Sequence, residues 1–302
     1  MTYPGLVTET ITIKGHRGDQ IEAYSARPNG AVGPLPGVVV IHHAPGWDEW
    51  TLEVCWKLAH HGFAALSPHL YSRHGPGSPD DLAALARGRG GVSDEQAVGD
   101  VAGATAFLRA QPYSNGKVGV IGFCSGGRQT FIVACTLADM DAAVDCWGGG
   151  VIIDSPAQLN QQRPVAAISL APNLGSPLLG IFGNDDDSPN VEEVDRTEEE
   201  LRRLGKTYEF YRYDGAAHAF LATDRYRYRP EQAVDAWKRI YAFLDRCLGT
   251  APAPPKFVGS TPIVSLAGRV PLRQPPANEP GAGSAGSTPS PGGALDKSSS
   301  ST

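Results

Sequence analysis

The sequence predicts an α/β fold: a mostly parallel, open sheet with helices on both faces and an antiparallel hairpin at its N-terminal end. Three observations carry that prediction. Two apolar runs, Gly37-Val38-Val39-Val40-Ile41 and Val118-Gly119-Val120-Ile121, have the composition of strands buried on both faces. Strand-like and helix-like stretches then alternate along the chain, the mark of a parallel sheet wound with helices. Finally, the second run passes through Gly122-Phe123-Cys124-Ser125-Gly126-Gly127 directly into a helical stretch, giving strand, tight turn and helix.

Residues 7–14 and 20–26 alternate apolar and polar side chains on either side of Gly15-His16-Arg17-Gly18, which reads as a hairpin at one sheet edge. After the Gly/Pro linker at 29–36 comes the first central strand. Residues 50–61 have a helical stripe of Leu52, Trp56 and Ala59 closed by Gly62, and the next strand runs from Phe63 to Ser67. Residues 71–91 are Ser/His/Gly/Pro-rich, with a short helical piece at 81–86, and suit a rim over a crevice. A helix over 93–110 opens with Ser93 and Gln96, the spacing of a capping box. Residues 142–147 form a strand ending in three glycines, and 160–174 read as irregular with one helical turn. Residues 192–204 are acidic at the start and basic at the end, matching a helix dipole, and read as a solvated helix. The stripe Ala233, Trp237, Ile240, Tyr241 and Leu244 makes 231–248 a core-facing helix.

The Gly-x-Cys-x-Gly turn has the form of a nucleophile elbow with cysteine in the usual serine position. At the start of a helix, the Cys124 sulfur meets a field that favours thiolate. Such an elbow expects an acid and then a histidine, each after a later strand. Leu178 to Gly183 runs into Asn184-Asp185-Asp186-Asp187, and Tyr208 to Tyr213 into Asp214-Gly215-Ala216-Ala217-His218. In an open α/β sheet those strand ends converge on one crevice. The residues therefore point to nucleophilic catalysis by Cys124 and His218 with an acid from the three aspartates.

With these motifs the chain resembles the dienelactone hydrolase family of the α/β-hydrolase fold, over roughly residues 8–248. The likeness rests on Gly122 to Gly127, the Gly183 to Asp186 strand end, Gly215 to Phe220, and Pro68-His69-Leu70-Tyr71 in place of that family's Pro-Asp-Leu-Tyr. It implies Asp186 as the triad acid, leaving Asp185 and Asp187 as alternatives. It also implies backbone N–H groups of Ser125 and Ala44 as the oxyanion hole, and a thioester intermediate on a small ester or lactone. The chain departs from the family where His43 replaces a glutamate next to the oxyanion residue, which makes His43 the expected modulator of the nucleophile. His69 replaces the aspartate of Pro-Asp-Leu-Tyr, and an interaction between His43 and His69 is expected. The family's arginine soon after the catalytic histidine is missing, which points away from dienelactone itself. Arg73 and Arg128 are the candidates for a substrate carboxylate, and Trp47, Trp50, His69, Tyr71 and Trp147 complete the expected pocket.

Formal net charge is −6 with no basic block, so nucleic acid is not an expected partner. No stretch reaches transmembrane length and no leader pattern opens the chain, so a cytoplasmic, membrane-free protein is expected. The five cysteines are scattered without Cys-x-x-Cys spacing, so neither disulfide nor metal is expected, and no cofactor motif occurs. Cys55, Cys135, Cys146 and Cys247 read as inert packing residues. Residues 1–249 form the expected hydrolase domain. Residues 250–302 read as a Pro/Gly/Ser-rich extension whose last ~20 residues are expected to be disordered; whether its Val258 to Leu272 stretch lies along the domain, meets a partner or does neither is left open. Monomer and homodimer both remain open. So do an acyl thioesterase or carbon–carbon hydrolase on the same fold, and a non-catalytic binding protein.

Overall fold

The computed structural model describes residues 5–31 and 33–249; the expected extension over 250–302 lies outside them. The N-terminal hairpin pairs β1 (Leu6–Lys14) with β2 (Gln20–Pro28), from Leu6 opposite Pro28 to Lys14 opposite Gln20. Next come β3 (Leu35–Ile41), α1 (Glu49–His60), β4 (Ala64–Pro68), α2 (Pro79–Gly88) and α3 (Asp94–Arg109). The second half runs β5 (Ser114–Phe123), α4 (Ser125–Thr136), β6 (Ala142–Cys146), β7 (Leu178–Gly183), α5 (Val191–Arg203), β8 (Tyr208–Tyr213) and α6 (Pro230–Leu248).

All eight strands join one sheet in the order β1-β2-β4-β3-β5-β6-β7-β8. β2 runs antiparallel to both β1 and β4, and every pair from β4 to β8 is parallel. This is the α/β-hydrolase arrangement expected from the sequence. The continuous apolar run of β3 has its physical cause here, since all seven residues are buried between two helical layers. Successive side chains face opposite ways. Val38 and Val40 pack with Val54 and Leu58 of α1 and Ile240 and Leu244 of α6. Val39 and Ile41 pack with Val101 and Leu108 of α3 and Phe131 of α4. Full burial of each such side chain contributes roughly 1.5–3 kcal/mol, so the layers hold the sheet and leave its loops free for chemistry.

Some local expectations change in detail. Ser93 caps α3 by accepting the Gln96 N–H at 3.1 Å, but the capping box stays half-made. The Gln96 side chain instead donates to the Leu70 carbonyl at 2.9 Å, tying α3 to the loop after β4. The irregular stretch between β6 and β7 contains 3-10 turns at Pro156–Gln158 and Ala167–Asn173.

The strand order also places the site. From β3 the chain steps to β4 on one side, then returns to β5 on the other. The loops leaving β3 and β5 therefore open away from each other at a topological switch point, where a crevice forms at the strands' C-terminal ends.

Candidate active site

Cys124 directly follows β5 and stands at the N-cap of α4 with φ 56° and ψ −119°. A left-handed backbone at a non-glycine residue costs roughly 1–3 kcal/mol and persists only where its surroundings fix it. Here the Cys124 N–H is fixed by the Cys146 carbonyl of β6, at 3.0 Å. The adjacent glycines are required by close approach. A Cβ on Gly122 would collide with the Gly126 carbonyl, and one on Gly126 would lie 2.5 Å from the Ile41 carbonyl oxygen.

Of the three aspartates after β7, only Asp186 turns inward; Asp185 and Asp187 are exposed. Its Oδ2 lies 2.8 Å from Nδ1 of His218, and its Oδ1 accepts the Ser188 N–H at 2.9 Å. Bonding at Nδ1 leaves the far edge of the ring for the Cys124 sulfur, with which His218 lines one hollow. Ala219 holds φ 64° just after His218, and Trp147 holds φ 45° just after β6. Both strained residues border the histidine, with the Trp147 ring 6.3 Å from it, centre to centre.

Electrostatics within the group favour an ion pair. Burial works against an imidazolium at His218, but Asp186 and the Cys124 sulfur outweigh it and hold its pKa up at about 10. Burial likewise pushes the Cys124 thiol up, and is outweighed by the neighbouring His218. The nearby backbone N–H groups of Ser125 and Ala44 act in the same direction as His218, so the net shift is downward. Two backbone N–H groups, a thiol shifted toward its ionised form and an imidazole shifted toward its protonated form thus border one crevice. That set is able to attack a carbonyl, hold the oxyanion and protonate a leaving group.

The remaining expectations need correction. His43 directs Nε2 to Asp48 Oδ2 at 2.7 Å and packs on Trp50, and no hydrogen bond joins it to Cys124 among the described residues. Asp48 is the N-cap of α1, so it draws His43 toward that helix. The ring facing His69 is His42, 6.2 Å away, because adjacent residues leave the strand in opposite directions. Arg73 is committed to Asp100 through two 2.9 Å bonds and to Asp19 at 2.7 Å. Arg128 is 2% exposed and bound to both oxygens of Asp94. Trp50 and Trp147 are core residues around Phe123, and Trp47 packs at a tilt against His69 with its Nε1 donating to Ser67.

Of the expected pocket only Tyr71 lines the crevice, which consists of two hollows of about 360 and 390 Å³ that share Ser125 and Arg163. The first hollow also has His42, Arg87 and Gln129, and the second has Cys124, His218 and Arg227. Arg163 was not predicted. It is half-buried, it makes no ion pair among the described residues, and burial followed by the Arg128 charge lowers its pKa. It comes from an aperiodic segment, Gln161-Gln162-Arg163-Pro164, with no pattern to mark it.

Sheet order, elbow and converging strand ends define an α/β-hydrolase. The chain belongs to the dienelactone hydrolase family, whose family profile matches residues 21–248, and with it to the hydrolases of ester and lactone bonds. A Methylorubrum extorquens protein with the provisional name carboxymethylenebutenolidase is 35% identical over 244 residues, 78% of this chain and 80% of that one. The carboxymethylenebutenolidase of Pseudomonas putida is 34% identical over 152 residues, covering 48% of this chain and 63% of its own. A crystal structure from Klebsiella pneumoniae, provisionally named a dienelactone hydrolase, superposes with a TM-score of 0.72 at 29% identity. It covers 80% of this chain and 99% of that one. Among the described residues no helix is long and apolar enough to cross a membrane.

Proposed function

We propose that the chain is a cysteine-nucleophile hydrolase of small carboxylate-bearing esters or lactones. The observation that carries this reading is the 2.8 Å bond that aims His218 from Asp186 into a hollow lined by Cys124 and Ser125, with Ala44 on the adjoining wall and His218 and Cys124 shifting each other's pKa. The Cys124 thiolate attacks the acyl carbon, and the two N–H groups hold the oxyanion. As the intermediate collapses the ester C–O bond breaks, and the His218 proton goes to the leaving oxygen. Water then attacks the thioester, giving its proton to His218 and expelling the thiolate. Asp186 holds the imidazole in the required orientation throughout.

Substrate class follows from the crevice walls. Among the described residues Arg163 forms no salt bridge, the Asp94 carboxylate acting on it only from a distance, and Arg87 opens into the same hollow. A carboxylate there would relieve the desolvated charge of Arg163. The name of the Pseudomonas relative, carboxymethylenebutenolidase, describes a lactone carrying such a group.

The test is burst kinetics with p-nitrophenyl acetate beside Cys124→Ala, followed by intact mass. A burst equal to the enzyme concentration, with an acyl group on wild type and none on the variant, is expected. Wild type that neither turns over nor acquires an adduct would overturn the reading and leave a binding protein built on the fold.

A further inference from the structure

We propose that His42 is a positioning residue for the reaction, one that aims the Ala44 N–H at the oxyanion by gripping the peptide unit to which that N–H belongs. This rests on the cysteine-hydrolase reading above.

His42 is the first residue beyond β3 and is 2% exposed. Both of its ring nitrogens are committed to backbone. The Leu70 N–H points at Nε2 from 3.2 Å, and Nδ1 lies 2.9 Å from the His43 carbonyl oxygen. A backbone N–H can only donate and a carbonyl can only accept. Nε2 must therefore be the bare nitrogen, and Nδ1 must carry the proton it gives to His43. Burial pulls the pKa of the ring down to about 3, so this single neutral tautomer persists at any working pH.

The carbonyl that His42 holds and the N–H of Ala44 are the two ends of one planar peptide and point in opposite directions. Fixing the oxygen fixes the hydrogen. The same oxygen takes a second bond from Gly46 N–H at 2.9 Å, and the carbonyl of Ala44 itself accepts the Tyr71 hydroxyl at 3.0 Å. The Ala44 N–H thus stands between two anchored carbonyls, on a residue that lines the crevice beside Ser125 and helps lower the Cys124 pKa. A preorganised oxyanion donor is worth roughly 10²–10³ in kcat, so loosening this peptide falls on the transition state more than on substrate binding.

Two conservative variants separate this role from a plain tether between the β3 and β4 loops. The amide nitrogen of asparagine falls near the place of Nδ1, so His42→Asn keeps the bond to His43 and drops the one from Leu70. His42→Gln does the reverse. With p-nitrophenyl acetate, His42→Asn is expected to stay within a few-fold of wild type. His42→Gln is expected to lose on the order of 10² in kcat with KM little changed. Thermal melts of both variants show that each is folded.

Hydrogen exchange at the Ala44 amide is the activity-independent readout, expected to be slow in wild type and His42→Asn and roughly tenfold or more faster in His42→Gln. The proposal is overturned if His42→Gln keeps wild-type kcat and exchange, or if His42→Asn falls as far as His42→Gln. A loss confined to KM would show instead that the ring contacts substrate. If wild type itself never acylates, the hydrolase reading fails, and the exchange rates still decide whether His42 holds the peptide.

Discussion

At the residue scale, Cys124 and His218 perturb each other in opposite senses. His218 has its pKa raised to about 10, so its contribution to stability is complete below the unfolded value near 6.5 and is lost as pH rises through 10. The Cys124 thiol is shifted down, so its contribution is present above the ordinary thiol value and fades as pH falls through the folded one. Between those limits both shifts favour an ion pair. Iodoacetamide should therefore alkylate Cys124 with a midpoint below the ~8.5 of a free thiol. Removing the partner with His218→Gln should carry that midpoint upward and cut kcat/KM by roughly 10²–10⁴; an unmoved midpoint would sink the ion pair. These residues were legible because each stands where a strand ends in a recognisable motif. Asp145 was not legible, because its surroundings come from other parts of the chain. It is 2% exposed beneath the elbow, where its Oδ1 accepts the Gly148 N–H at 2.8 Å. Burial raises its pKa to about 8, so the folded protein retains a proton that the unfolded chain gives up near 4. Stability then falls as pH rises between those values. Asp145→Asn, which keeps an acceptor for Gly148, should flatten that fall in chemical denaturation run at mildly acid and mildly alkaline pH. A variant that declines in parallel with wild type would refute the buried acid.

At the element scale, the Arg128–Asp94 pair joins α4 to α3. Arg128 lies one turn into α4 and Asp94 is the first residue of α3, joined by bonds of 2.6 and 3.1 Å. The Arg128 Nε also donates to the Gly150 carbonyl at 3.1 Å, so one side chain ties together the elbow helix, α3 and the glycine loop after β6. Removing one member of a buried pair strands the other charge, at a cost of roughly 3–5 kcal/mol. Asp94→Ala should lower the unfolding free energy from chemical denaturation by that amount, whereas Arg128→Met with Asp94→Leu should recover much of it; equal losses in both would mean that the helices are held elsewhere. The elements themselves were legible in the sequence, because burial on both faces demands the apolar runs of β3 and β5. The uses of their polar residues were not. Arg73, Arg128 and Gln96 have nothing in their local pattern to separate a substrate contact from a tie to Asp100, Asp94 or the Leu70 carbonyl. Those partners lie 27, 34 and 26 positions away in the chain.

At the scale of the whole molecule, charge and topology make opposite demands on an anionic substrate. The chain has a formal net charge of −6, which repels an anion at long range. Its switch-point crevice nevertheless gathers Arg87, Arg163 and Arg227 around Ser125, Cys124 and His218. A half-buried cation within that hollow is screened by salt much less than exposed surface charges are. The distant repulsion should therefore weaken with added salt while the attraction at Arg163 persists. The comparison is p-nitrophenyl hydrogen succinate, which carries a carboxylate, against the neutral butyrate ester. Arg163→Gln should lower kcat/KM for the succinate by roughly 10-fold or more, the usual worth of a charged hydrogen bond, and leave the butyrate within about 2-fold. In wild type, the succinate should retain its advantage over Arg163→Gln from low salt to about 0.5 M, where surface attraction is largely screened. An advantage that vanished with salt would assign the effect to the surface. Equal losses on both esters would show that Arg163 supports the fold of the crevice and does not select the acyl group.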